Sequence, residues 1–260
     1  MTTSLANRKI LVTREASQAK KFSKIIAQFG GVPIEVPLLD IHCLKNLEHE
    51  PLWDRLDSYN WLFFTSANGV HCFFRELDER EQTIDLQEYF KIAAVGHKTE
   101  EALQIRNIAA DFIPSVYDAD TMSTEFLAQY PEEKGPILLI RGTRARDVLP
   151  KVFADNGIIF DSLEIYETVT NTGIAPTLKE TMCKEDFDFI TFTSPSCIDA
   201  FIEMDGLESL NSSTVIACIG TTTEKKANQV GLTNNIVPEV FTIEGMIDCM
   251  ANYLIREDES

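Results

Sequence analysis

The chain has 260 residues, 44% of them hydrophobic and 25% charged, with 41 acidic against 23 basic side chains and a formal net charge of −18. A balance this acidic argues against a nucleic-acid partner, whose footprint is basic. It leaves room for an anionic small ligand, because the potential inside a cleft can oppose the net charge. No apolar run approaches the roughly 20 residues of a membrane helix, and Met1–Arg8 lacks the apolar core of a signal peptide. No membrane partner and a cytoplasmic location are therefore expected. The length suits one large domain or two of about 130 residues. The six cysteines (Cys43, Cys72, Cys183, Cys197, Cys218, Cys249) show no CxxC spacing. In a reducing compartment such thiols are expected mostly as small buried hydrophobes.

Ile10–Arg14 reads as a first strand ending in arginine, followed by a helical pattern from about Ala16 to Phe29 that Gly30-Gly31 stops. Val32–Ile41 is a long extended run. Pro33 and Pro37 each remove a ladder donor, which suits an edge strand or a crossing. Leu52–Leu56 suits a short helix. Trp61–Phe64 is an apolar, aromatic run that reads as a buried strand, meets Thr65-Ser66 and passes into a helix reaching about Leu77. Glu76–Glu88 is charged and is expected as a solvated helix face or loop. Ile92–Val95 is the next strand; Gly96 ends it, and a helix follows from about Lys98 to Arg106. A weak strand near Phe112, a loop and a helix over Ser123–Tyr130 complete the first half.

The pattern then restarts. Ile137–Gly142 parallels Ile10–Glu15, and Ala154–Gly157 lies 127 residues after Ala27–Gly30. Ser194, after the strand Phe189–Phe192, repeats Ser66 at an offset of 128, and Ile219–Glu224 repeats Val95–Glu100 at 124. Four signals in one order at nearly one offset indicate a duplication. Strands alternating with helices imply βαβ units, so each half is an open, doubly wound α/β unit of four or five parallel strands. Ile158–Thr168 answers Val32–Ile41, and the two are expected to run between domains as a paired linker. Such sheets bind ligands beyond the carboxyl ends of their strands. Arg14, Ser66, Gly96, Arg141, Ser194 and Gly220 all fall at such ends.

Ser66 and Ser194 are placed to cap helices, and Pro195 suits a first helical position. Gly96 and Gly220 each end a strand and open a helix, and Thr221-x-x-Glu224 fits a capping box. For any one turn a well-capped helix is explanation enough. Their recurrence in both copies favours helix N-termini that accept an anion, with Lys98, Thr99, Thr222 and Thr223 as nearby donors. Arg141–Arg146 is the only dense basic cluster. Arg141, at a strand end, suits a carboxylate ligand; Arg146 suits a surface ion pair. Tyr166 lies in an extended stretch, where a tyrosine is ordinarily packing; beside a cleft its hydroxyl would serve as a weak acid. The four histidines show no zinc-site spacing, and GxGxxG, P-loop and GxSxG motifs are all missing. Asp118-x-Asp120 suits a solvated loop better than a metal. No cofactor and no metal are expected, which leaves positioning and weak proton transfer as the means of catalysis.

Phe64-Thr65-Ser66, Ala94-Val95-Gly96 with Thr99, Arg141-Gly142, Tyr166-Glu167-Thr168, Phe192–Ser196, Ile219–Thr222 and Thr242-x-Glu244-Gly245-Met246, taken in order, resemble the uroporphyrinogen-III synthase family over Ile10 to about Leu254. The resemblance implies two similar flavodoxin-like parallel-sheet domains joined by a two-stranded β-ladder, with the site between them. It implies a discontinuous domain of residues 1–37 and 168–260, an inserted domain of residues 38–167, and linker strands at 36–41 and 163–168. It further implies a lyase of heme biosynthesis that cyclises hydroxymethylbilane, with loss of water and inversion of the last ring, without a cofactor. On this resemblance Tyr166 assists departure of the hydroxyl. Ser66, Gly96, Thr99, Ser194, Gly220 and Thr222 contact substrate, with Arg141 and Arg14. A monomer that takes its substrate from the preceding pathway enzyme is expected. A non-catalytic two-domain binding protein for an anionic small molecule, or a scaffold module of flavodoxin-like halves, would use the same turns.

Overall fold

The computed structural model describes residues 4–82 and 84–258. The readings of Met1–Arg8 and of the charged segment 76–88 therefore lie partly outside it, at Met1–Thr3 and Thr83. In chain order the first elements are β1 (Lys9–Val12), α1 (Ala16–Gln28), β2 (Val32–Glu35), β3 (Leu39–Cys43) and α2 (Glu50–Asp54). Then come β4 (Trp61–Phe64), α3 (Ala67–Glu79), α4 (Leu86–Tyr89), β5 (Lys91–Ala94), α5 (His97–Gln104) and α6 (Ala119–Gln129). The next are β6 (Ile137–Gly142), α7 (Val148–Asp155), β7 (Phe160–Thr170) and α8 (Ala175–Lys184). The last are β8 (Phe189–Phe192), α9 (Pro195–Glu203), β9 (Val215–Cys218), α10 (Thr221–Gln229), β10 (Asn235–Ile236) and α11 (Ile243–Asp258).

The chain divides into two compact units, Met1–Asp40 with Val169–Ser260, and Ile41–Thr168. The discontinuous unit holds a parallel sheet in the order β2-β1-β8-β9-β10. In its own chain numbering that is 2-1-3-4-5. The continuous unit holds β3-β7-β6-β4-β5. Beyond β5 an isolated parallel bridge joins Ala93 to Phe112. It stands 124 residues before the Ala217–Ile236 pair of β9 and β10, so the weak strand expected near Phe112 is a fifth strand reduced to one residue. The two sheets are one topology with the chain cut at different places. The first copy contributes β1-α1-β2 to the unit that the second copy's β8 to β10 complete.

Strand sequence explains the layering. In β4, Leu62 and Phe64 enter one core while Trp61 and Phe63 enter another, the period-2 alternation of a strand covered on both faces. The Trp61 ring meets Phe126 at 5.1 Å and Phe63 meets Phe153 at 5.3 Å, both edge to face. In β8, Ile190 and Phe192 face one core and Phe189 the other.

Several expectations need correction. The single run Val32–Ile41 is two strands. β2 carries Pro33 at an edge, where the missing donor is not needed, and β3 lies in the other sheet. Glu76 is not solvated: it is buried on α3 and accepts from Arg80 Nε at 2.8 Å. Asp118 ends its loop with a definite local role. It caps α6, accepting from Thr121 N at 2.8 Å, so that helix begins four residues earlier than expected.

The cysteines divide. Cys197 and Cys218 are buried, as small hydrophobes should be, but the end of β3 and the face of α3 bring Cys43 and Cys72 to a Cα separation of 5.3 Å, where they form a disulfide. Cys183 is exposed. Burial pushes the Cys218 thiol up to about 12. Alkylation of the unfolded chain is therefore expected to label four cysteines without reductant and six with it. In the native protein at pH 8.5 Cys183 should react while Cys218 stays unmodified, because its thiolate is scarce. Six labelled cysteines without reductant would rule out the crosslink.

Candidate active site

In the continuous unit the strand ends of β7, β6 and β4 lie side by side. Ser66, just past β4, is the N-cap of α3 and its Oγ accepts from Gly69 N at 3.0 Å. The Ser66 hydroxyl in turn donates to Tyr166 Oη at 2.9 Å. Tyr166 reaches it from β7, across β6. The reach needs two local departures. The β6–β7 register shifts between Arg141, opposite Glu164, and Gly142, opposite Tyr166. A bulge of this kind re-aims a side chain. The ring then lies on Gly142, where an added Cβ would meet Tyr166 Cζ at 2.6 Å, so any side chain here would displace the ring.

Arg141 ends the same β6 but is 4% exposed. Its Nη2 donates to Ala145 O and pairs with Asp147 at 2.8 Å, which folds the loop 143–147 back on the strand. Its Nε is buried without a partner. Gly96 opens α5, and no side chain caps that helix. Its φ of −179° is ordinary extended backbone; what excludes a side chain is Tyr117, whose Cβ would lie 2.8 Å from an added Cβ. Thr99 is buried, its N–H bonded to Gly96 O at 2.9 Å.

The discontinuous unit repeats the plan. Thr13 Oγ1 donates to Thr191 O at 2.7 Å and Thr191 Oγ1 to Leu11 O at 2.8 Å, a reciprocal clasp that fixes the ends of β1 and β8. Just beyond the clasp stand Arg14 and Ser194. Ser194 caps α9, accepting from Cys197 N at 3.4 Å. Arg14 is half-buried and donates to the neutral amide of Gln18. Burial draws its pKa below the usual arginine range, with neighbouring Cys197 and Glu15 opposing. Gly220 opens α10, again with no side-chain cap. The capping box expected at Thr221-x-x-Glu224 does not form, because the cap position falls one residue earlier, on a glycine. Thr222 is exposed, and the buried counterpart of Thr99 is Thr223.

The structure thus gathers Ser66, Tyr166, Gly96, Thr99 and Arg141 in one unit, and Arg14, Ser194, Gly220 and Thr222 in the other. In each unit one helix is capped by its own serine, while another starts on a glycine with no side-chain cap. Sequence reasoning missed Tyr117 and its counterpart Phe241, which lies over Gly220. Their signal was the repeat Pro114-x-Val116-Tyr117 against Pro238-x-Val240-Phe241, again at 124. A cavity of about 700 Å³ along α11 is walled by Glu239, Glu244 and Asp248 with Arg256, a lining poorly suited to a polyanion.

Comparison with known proteins bears on these strand ends. The family model described as Uroporphyrinogen-III synthase HemD matches residues 20–248. The chain is 28% identical over 243 residues to a porphyrin biosynthesis protein HemD of Ruminiclostridium josui, covering 92% of this chain but 47% of that protein, so it spans about half the relative's length. It is 29% identical over 243 residues to a uroporphyrinogen-III synthase of Chlorobaculum parvum, covering 89% of this chain and 93% of that one. The crystal structure of a uroporphyrinogen-III synthetase from Helicobacter pylori shares the α/β fold, with a TM-score of 0.63 at 20% identity over 95% of this chain and 99% of that one.

Proposed function

The chain belongs to the uroporphyrinogen-III synthase family, and from that premise we propose that it closes hydroxymethylbilane into uroporphyrinogen III, losing water and inverting the last ring. The observation that carries the reading of the site is the Ser66–Tyr166 hydrogen bond at 2.9 Å. The reaction begins when the substrate's terminal hydroxyl is protonated and leaves as water, expelled by the electron-rich pyrrole, which becomes an azafulvene. The substituted carbon of the last ring attacks it, and the spiro product fragments and recloses with that ring turned over. Only the first step asks for an acid. A phenol that accepts from Ser66, itself accepting from Gly69 N, is a weak acid held in one position. The remaining work is to choose which carbon attacks, which is a matter of holding the chain of rings in one shape.

The substrate carries an acetate and a propionate on every ring. Uncapped helix starts at Gly96 and Gly220, the serine turns at Ser66 and Ser194, and the half-buried Arg14 are suitable partners for them. Thr99 and Thr222 belong to the same two helix starts. We assign Arg141 to shaping the loop 143–147 beside Tyr166. The strand orders support the finer reading of two flavodoxin-like domains, residues 1–37 with 168–260 and residues 38–167, linked through the neighbouring strands β3 and β7. The same proposal includes a monomer in the cytoplasm. Free hydroxymethylbilane closes unaided to the type I isomer, which is the reason to propose handover from the enzyme that makes it.

Purified protein given fresh hydroxymethylbilane is expected to yield mostly the type III isomer. Type I product at the uncatalysed rate would overturn the activity. Tight binding of the tetrapyrrole without turnover would establish the non-catalytic alternative.

A further inference from the structure

Each unit exposes one aromatic ring at the same place. Tyr117 is 62% and Phe241 55% exposed, and the residues before them, Val116 and Val240, are 56% and 63% exposed. The two loops are built alike. Asp118 N bonds to Val116 O at 2.8 Å and Thr242 N to Val240 O at 2.8 Å, so each ring sits on the central residue of a three-residue turn. Asp118 and Thr242 then each accept from a backbone N–H three residues on, which pins the turn to α6 in one unit and to α11 in the other. Each ring borders a glycine that opens a helix. An added Cβ at Gly96 would lie 3.0 Å from Tyr117 Cγ, and one at Gly220 would lie 3.3 Å from Phe241 Cγ.

Little in either unit's own packing requires these rings. Their faces are largely hydrated, and an exposed valine-aromatic pair gains nothing from burial and invites association. The turn, the glycine and the ring nevertheless recur together at an offset of 124 residues. What such a ring offers is a rigid flat face, held at the carboxyl end of a parallel sheet, where ligands of these sheets bind.

We propose that Tyr117 and Phe241 are stacking platforms for pyrrole rings of the substrate. The inference rests on the tetrapyrrole reading above and deepens it. Acid-binding turns alone recognise any polyacid. An aromatic face beside such a turn selects a ligand in which each flat, electron-rich ring carries its own carboxylates. It also fixes the plane of a ring that single bonds would otherwise leave free to rotate, and that is the degree of freedom that governs which carbon attacks. Glycine at position 96 leaves room for the Tyr117 platform against the backbone, and at position 220 it lets Phe241 approach closely.

The test compares Tyr117→Ser, Phe241→Ser, their double variant and the conservative Tyr117→Phe with the wild-type chain. Hydroxymethylbilane is the substrate; KM, kcat, the isomer ratio and the thermal midpoint are the readouts. Stacked aromatic pairs contribute enough that each serine variant should raise KM about fivefold. Its kcat should stay within about twofold, and Tyr117→Phe should be near wild type because only the face matters. The double variant should release a larger share of type I isomer. A wild-type KM and isomer ratio in the double variant, while the wild-type chain forms the type III isomer, would overturn the platforms and leave the activity standing. So would a lowered thermal midpoint with unchanged KM. A wild-type chain that forms no type III isomer would instead overturn the activity, and the platforms with it.

Discussion

Tyr166→Phe is expected to lower kcat by about 100-fold, the small end of the range for a positioned general acid, because water can partly replace a phenol. KM and product affinity should change little, since the ring still lies on Gly142 and only the hydroxyl is lost. Ser66→Ala should act through Tyr166 and cost less, about tenfold in kcat. It should also lower stability by about 1 kcal/mol, because Gly69 N loses its cap. The double variant decides whether the two form one device. If Ser66 works only by donating to Tyr166, its removal from the phenylalanine variant should leave kcat where it already stands. Multiplied effects would separate the two residues. Wild-type turnover by Tyr166→Phe would remove Tyr166 from the chemistry altogether.

Arg14→Met is expected to raise KM roughly tenfold to a hundredfold, as the loss of a hydrogen-bonded charge to a substrate carboxylate should. The same variant should not lose stability. Arg14 is half-buried and donates to the neutral Gln18 amide, and its lowered pKa says that the fold disfavours the charge. Methionine keeps the apolar stem and sheds that burden. A thermal midpoint that holds or rises together with a large loss of affinity is the signature of a cation kept for a ligand. An unchanged KM with a falling midpoint would make Arg14 a structural residue. Arg14→Lys should recover part of the affinity, since it restores charge without the planar fork.

Much of this architecture could be read from residue order. The unbroken apolar runs at Trp61–Phe64 and Phe189–Phe192, serine at the helix caps and the regular offset between copies can be read along the chain, and each resulted in the element expected. Errors came where one position serves two neighbours. Val32–Ile41 reads as one run because extended residues look alike, yet β2 and β3 join different sheets. The capping box at Thr221 failed by one residue, because a pattern of residue types cannot fix which position first leaves extended φ. Cys43 and Cys72 carry no signal of their pairing, since 29 residues and a whole strand separate them.

By itself, then, the sequence determined what is local and what is repeated: parallel α/β units, the turns at Ser66, Gly96, Ser194 and Gly220, and an arginine at the end of β1. Only the tertiary structure decided which strands are neighbours, and with them the function of individual atoms. Tyr166 and Ser66 are 100 residues apart, and their hydrogen bond exists because a bulge and a bare glycine on the strand between them let one ring cross it. Contacts of that kind depend on distances set by strand order, which no run of neighbouring residues encodes.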